Sequence, residues 1–219
     1  MDSKIEAVVF DMDGVLFDTE RLCLRVWKIV GERHGIEGIE EVFPQCIGRT
    51  TPDTKRIILE HYSDLDIDPL YEEIREEMQR IIAEEGLPKM PYADEVLKAL
   101  KSMGVPLALA SSSRYETVCR ELKMAGFYDY FNAVIGGDMV ESGKPSPDIY
   151  LKACELLGVE PTRAAAVEDS FNGVRAANAA GMFTIMVPDM VSPDVEMRQK
   201  ANVIVTDIRG VLSVLNERA

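Results

Sequence analysis

The sequence predicts an α/β fold: a doubly wound parallel sheet, a Rossmann-like core, with a helical domain inserted after its first strand. Three observations carry this. Ala7-Val8-Val9-Phe10 is a short apolar run, the mark of a strand buried on both faces. It leads into the turn Asp11-Met12-Asp13-Gly14, and for about seventy residues beyond it the apolar positions recur only at helical spacing. From Tyr92 onward short apolar runs alternate with amphipathic segments, as in a parallel sheet covered by helices on both faces.

Taken in order, residues 19–31 place Leu22, Val26, Ile29 and Val30 on one helical face, widened by Leu24 and Trp27. A second helix starts at Thr51 or Pro52 and carries Ile57, Ile58 and Leu59. A third covers residues 69–85 with Leu70, Ile74, Met78, Ile81 and Ile82 inward. Its Glu72, Glu73, Glu76, Glu77, Glu84 and Glu85 read as a solvated face. Leu87-Pro88-Lys89-Met90-Pro91 breaks the pattern and connects back. Helices are then expected over 93–103, 114–124, 147–157 and 171–180, with strands at 106–110, 133–136, 164–167, 183–187 and 202–205, and a closing helix. The expected domains are a core of residues 1–16 and 89–219 and an insertion of residues 17–88.

Composition narrows the function. At 219 residues the chain can bury a full core, and 47% hydrophobic and 28% charged residues suit a soluble globular protein. A net charge of −14 argues against nucleic acid or an anionic membrane as partner, so any anionic substrate must be drawn by a local cluster of cations. No signal peptide or membrane span is evident. Cys23, Cys46, Cys119 and Cys154 stand singly, which suits thiols in a reducing cytoplasm better than disulfides or zinc. Only His34 and His61 are available to a histidine-based mechanism.

In a doubly wound sheet, ligands sit beyond the carboxyl ends of the strands. Reading the residues after each expected strand collects Asp11 and Asp13, then Ser111-Ser112-Ser113, then Lys144 in a Gly/Pro loop, then Glu168-Asp169-Ser170. Two carboxylates two residues apart repel, and need a shared proton or a cation. By chance D-x-D-G-x-x-x-D would appear in about one such chain in several hundred. Singly, the serines could cap a helix, Glu168 and Asp169 could favour a helix N-terminus, and Lys144 could be a surface charge. Jointly they gather acids, hydroxyls and a cation around one crevice.

Asp11-Met12-Asp13-Gly14-Val15-Leu16-Phe17-Asp18-Thr19, Leu109-Ala110-Ser111-Ser112, Lys144-Pro145-Ser146-Pro147-Asp148 and Val167-Glu168-Asp169-Ser170 resemble the four signature motifs of the haloacid dehalogenase superfamily. Their order and separation are similar to the branch of β-phosphoglucomutase and small sugar-phosphate phosphatases. The resemblance covers essentially the whole chain, the helical insertion resembling that branch's mobile four-helix cap. It implies Asp11 as nucleophile through an aspartyl-phosphate and Asp13 as general acid, then base. It implies Mg²⁺ held by the Asp11 carboxylate, the Asp13 carbonyl and Asp169, with Glu168 either supporting that shell or ligating directly. Ser111 and the Ser112 amide would hold phosphoryl oxygens, Lys144 would neutralise charge on Asp11 and the transferring group, and Thr19 would meet substrate; outside the resemblance, Arg49 is this chain's own candidate for a substrate-binding cation.

Two departures bear on the branch. The resembled phosphoglucomutases carry a histidine four positions after Thr19, where this chain has Cys23. They carry a cap arginine three residues after the glycine matched by Gly48, where Thr51 stands, and Arg49 offers a cation elsewhere. Loss of the hinge histidine favours transfer to water. The expectation is therefore a monomeric, cytoplasmic Mg²⁺-dependent phosphatase of a small phosphorylated metabolite, a sugar phosphate by resemblance. A phosphosugar mutase is the alternative, and a non-catalytic phosphometabolite-binding module the alternative of another class. Asp13 disfavours dehalogenase and phosphonatase chemistry, in which that aspartate is replaced.

Overall fold

Ala7–Phe10 forms β1 with all four residues buried. It can be apolar on both faces because it lies between two parallel neighbours, pairing Val8 with Leu107 on β2 (Leu107–Ala110) and with Ala165 on β4 (Ala164–Glu168). With β3 (Ala133–Ile135), β5 (Phe183–Met186) and β6 (Val203–Ile204) the sheet order is β3-β2-β1-β4-β5-β6, parallel throughout. The chain winds outward one way from β1 and then the other, so the switch of direction falls between β1 and β4. This is the doubly wound sheet that the alternation predicted. Alternate small residues make one face: Ala7, Val9, Ala108, Ala110, Ala164 and Ala166 let Ile149, Tyr150 and Ala153 pack closely.

The computed structural model describes residues 4–47, 49 and 51–218. Gly48, matched above to a cap glycine, and residues 1–3, part of the N-terminal reading, lie outside them. Among the described residues no helix is long and apolar enough to cross a membrane.

The chain divides into two units, Met1–Phe17 with Lys89–Ala219, and Asp18–Pro88. Its second unit holds α1 (Thr19–Arg33), α2 (Ile39–Val42), α3 (Thr51–His61) and α4 (Ile67–Glu85) around its own apolar centre of Val26, Trp27, Val30, Ile58 and Ile81. Burying each such side chain contributes roughly 2 kcal/mol. The solvated reading of α4 fails at Glu77, which is 7% exposed. Arg33 of α1 crosses over it at 3.2 Å and Arg80 bonds it at 2.6 Å, so two guanidinium groups stand where water was expected. In the first unit, Met90 donates to the Leu16 carbonyl at 2.9 Å where the chain returns.

The remaining helices are α5 (Ala93–Ser102), α6 (Tyr115–Ala125), α7 (Asp148–Leu157), α8 (Phe171–Ala179), α9 (Val195–Lys200) and α10 (Gly210–Glu217). Most expected elements occur within a residue or two. Two were not read: α2, continued by a 3₁₀ turn over Phe43–Gln45, and α9, capped by an Asp194 side chain accepting from the Met197 amide at 2.8 Å.

Candidate active site

The parallel sheet brings the carboxyl ends of β1, β2 and β4 side by side. Asp11 continues the β1 ladder for one more bond, its amide donating to the Val167 carbonyl at 2.9 Å. The chain then curls: the Met12 carbonyl accepts from Leu16 at 2.9 Å and Phe17 at 3.1 Å, and Gly14 donates to the Phe17 carbonyl at 2.9 Å. Gly14 sits at φ +72°, and a Cβ there would collide with the Asp169 carboxylate. The turn therefore needs a residue without a side chain to let Asp169 lie over its backbone. Asp13 is half-buried at this turn.

Lys144 ties the elements together. Its Nζ donates to Asp11 Oδ1 at 2.6 Å, Glu168 Oε1 at 2.6 Å and the Ala110 carbonyl at 3.1 Å. Its side chain is 5% exposed, so the surface-charge reading is excluded. Glu168, at the end of β4, is fully buried and also accepts from the Tyr150 hydroxyl at 2.6 Å. Its other oxygen accepts from the Ser170 hydroxyl at 3.1 Å and the Ser170 amide at 3.3 Å. Ser170 in turn caps α8, accepting from the Gly173 amide at 3.0 Å. Ser111, after β2, is buried, with its Oγ accepting from the Ser113 amide at 3.1 Å, while Ser112 is exposed.

The electrostatics follow from crowding acids around one cation. Burial first, then the charges of Glu168 and Asp13, push the Asp11 carboxyl up to about 8 against the pull of Lys144. Burial alone would lower Lys144, but Asp11 and Glu168 hold its ammonium above the ordinary lysine range. One oxygen each from Asp11, Glu168 and Asp169 lie within 4.8 Å of one another. A single ammonium leaves that set negative, and a hard divalent cation with a taste for carboxylates fits it.

Residues 5–181 match the family model of the haloacid dehalogenase-like hydrolases. The chain belongs to that family. It is 35% identical over 179 residues to a phosphorylated carbohydrates phosphatase of Thermotoga maritima, covering 81% of this chain and 82% of that one. It is 30% identical over 210 residues to the β-phosphoglucomutase of Bacillus subtilis, covering 90% and 91%. A crystal structure of a family hydrolase from Deinococcus radiodurans, with bound phosphate and sodium, superposes with a TM-score of 0.84 at 26% identity, covering 99% and 97%.

In this haloacid dehalogenase-like hydrolase the sheet edge gathers Asp11, Lys144, Glu168 and Asp169 into one contacting cluster, with Asp13 and the Ser111 turn on adjoining segments. Thr19 and Arg49 belong to the second unit, where Thr19 opens α1 and Arg49 is exposed between Gly48 and Thr50. Two residues escaped the sequence reading. One is Tyr150 of α7, which donates to Glu168. The other is Glu121 of α6, whose carboxyl burial first, and Asp13 next, push up to about 7. A tyrosine on a wholly buried helix face is the signal that could have revealed the first, since its hydroxyl must find a partner.

Proposed function

We propose that the chain is a Mg²⁺-dependent phosphatase of a small phosphorylated metabolite, a sugar phosphate, working through an aspartyl-phosphate on Asp11. The observation that carries this is the buried Lys144 ammonium held 2.6 Å from both Asp11 and Glu168. It lowers the repulsion between a carboxylate nucleophile and a phosphate dianion. The Asp11 and Asp169 carboxylates and the Asp13 carbonyl would hold the metal, with Glu168 supporting them or ligating directly. When bound, it would supply positive charge opposite the phosphoryl oxygens. Asp11 forms the new O–P bond as the bond to the leaving oxygen breaks, and Asp13 gives that oxygen its proton. Asp13 then takes a proton from the water that cleaves the acyl phosphate, freeing Asp11 and inorganic phosphate. Ser111 and the Ser112 amide hold the transferred group's oxygens. The names of the Thermotoga and Bacillus relatives support a phosphorylated sugar, and Cys23 at the histidine position supports water as acceptor.

The test is turnover of p-nitrophenyl phosphate with Mg²⁺ and with EDTA, followed by a panel of sugar phosphates that includes β-glucose 1-phosphate. Phosphate release that disappears in EDTA supports the reading. Conversion of β-glucose 1-phosphate to the 6-phosphate without phosphate release would select the mutase, and no turnover at all the binding module.

Asp13→Asn is expected to slow an alkyl phosphate by roughly 10²–10⁴-fold and p-nitrophenyl phosphate much less in its first step, because a good leaving group needs little protonation. Burst kinetics on the two substrates check this, and equal losses count against the acid role. Arg49→Ala is expected to raise KM for the sugar phosphate about tenfold, the loss of one charge-assisted contact, and to leave p-nitrophenyl phosphate and the metal requirement unchanged. Steady-state kinetics on both substrates decide it.

A further inference from the structure

We infer that Tyr150 is a positioning residue of this site, its hydroxyl dividing the two oxygens of Glu168 between Lys144 and the metal. The inference rests on the metal site proposed above. Tyr150 is fully buried on α7, and its ring packs among Ala108, Ala110 and Ala153 as a phenylalanine would. Burying a hydroxyl there is costly unless it is bonded. Its bond is to Glu168 Oε1 at 2.6 Å, the oxygen that also accepts Lys144 Nζ at 2.6 Å. The same ring lies under the ammonium, 5.0 Å from Nζ to the centroid. Tyr150 thus touches both ends of the Lys144–Glu168 pair.

Two short bonds commit Oε1. Among the described residues Oε2 has the longer bonds from Ser170, at 3.1 and 3.3 Å, which leaves it the freer oxygen for a cation, and one Glu168 oxygen lies within 4.8 Å of one each from Asp11 and Asp169. A Cβ at position 173 would collide with the carboxylate, so α8 also walls it in. Without the hydroxyl, Oε1 keeps one strong donor, the carboxylate can swing, and both Lys144 and the metal face lose their reference point.

The test is Tyr150→Phe, which keeps ring, volume and the contact with Lys144 and removes only the donor. Mg²⁺ binding measured by calorimetry is expected to weaken about tenfold, and kcat for p-nitrophenyl phosphate to fall about tenfold with KM nearly unchanged, the loss of one hydrogen bond to a charged group. Placed in a Glu168→Gln background, the same change is expected to add under about twofold to either loss, because the bond acts through Glu168. Unchanged Mg²⁺ affinity and kcat in Tyr150→Phe overturn the inference. So do fully additive losses in the double variant, or a fall of the metal-free melting temperature by more than about 10 °C, which would assign the hydroxyl to folding. If the parent binds Mg²⁺ but cleaves no phosphate ester, the phosphatase reading fails and the calorimetric arm still decides the role of Tyr150.

Discussion

Asp11→Asn is expected to abolish turnover, by roughly 10⁴-fold or more, while leaving the metal-free protein at least as stable as the parent. The amide keeps the shape of the carboxylate and can still accept from Lys144. It cannot attack phosphorus to give a stable acyl phosphate, and it withdraws one charge from the metal's surroundings. Stability moves the other way because the Asp11 carboxyl is buried and pushed up to about 8: the fold resists its charge. A neutral amide removes that cost. Phosphate release from p-nitrophenyl phosphate and a thermal melt in EDTA check the two halves. Substantial turnover by the variant would end the case for Asp11 as nucleophile, whatever the melt shows.

Lys144→Met is expected to fail on both counts. Methionine fills the same volume but leaves Asp11 and Glu168 facing each other in a buried space, and removing one partner of such a set costs about 3–5 kcal/mol. Turnover should fall by roughly 10²–10³-fold, since a preorganised group opposite developing charge is worth about that much. The deficit should depend on pH. Asp11's pKa is raised in the fold from 3.8 to about 8, so its contribution to stability is full below pH 3.8 and is lost as pH rises from there through about 8. In the parent that loss ends once Asp11 ionises beside Lys144. In the variant Asp11 has no counter-charge and holds its proton further, so stability keeps falling by about 1.4 kcal/mol per pH unit. The gap between the two proteins should therefore widen above pH 8, as urea denaturation in EDTA at pH 7 and pH 9 would measure. A constant gap would mean that Lys144 is held for packing alone.

Much of this was legible in the chain because a parallel sheet delivers every strand's carboxyl end to one edge. Asp11, Ser111 and Glu168-Asp169 could be gathered from the residues just past each apolar run, with no knowledge of distances. The burial of Lys144 could not, since nothing in a Gly-Lys-Pro loop says whether the lysine turns inward. Glu77 misled because periodicity marks which face of α4 looks away from its own core and is blind to Arg33 arriving from α1. Helices of four and six residues, Ile39–Val42 and Val195–Lys200, are too short to show a period, and the Asp194 cap that marks the second was not read. Tyr150 was hidden by its own hydrophobicity: it packs as a core residue should, and its partner lies eighteen residues away on another element.

The strand order also sets a timetable. β1, near the middle of the sheet, is the first strand made, yet Val8 meets Leu107 on one side and Ala165 on the other. Asp11 and Lys144 are separated by 133 residues. During synthesis β1 therefore waits with both edges open while the locally connected helices of Asp18–Pro88 can already pack, because closing short loops costs less entropy than closing long ones. The cleft of this enzyme comes into being late and all at once. A nascent or truncated chain ending before Leu107 carries the helical module and a β1 with both edges exposed, which makes it a client for chaperones and a seed for aggregation rather than a weakened catalyst.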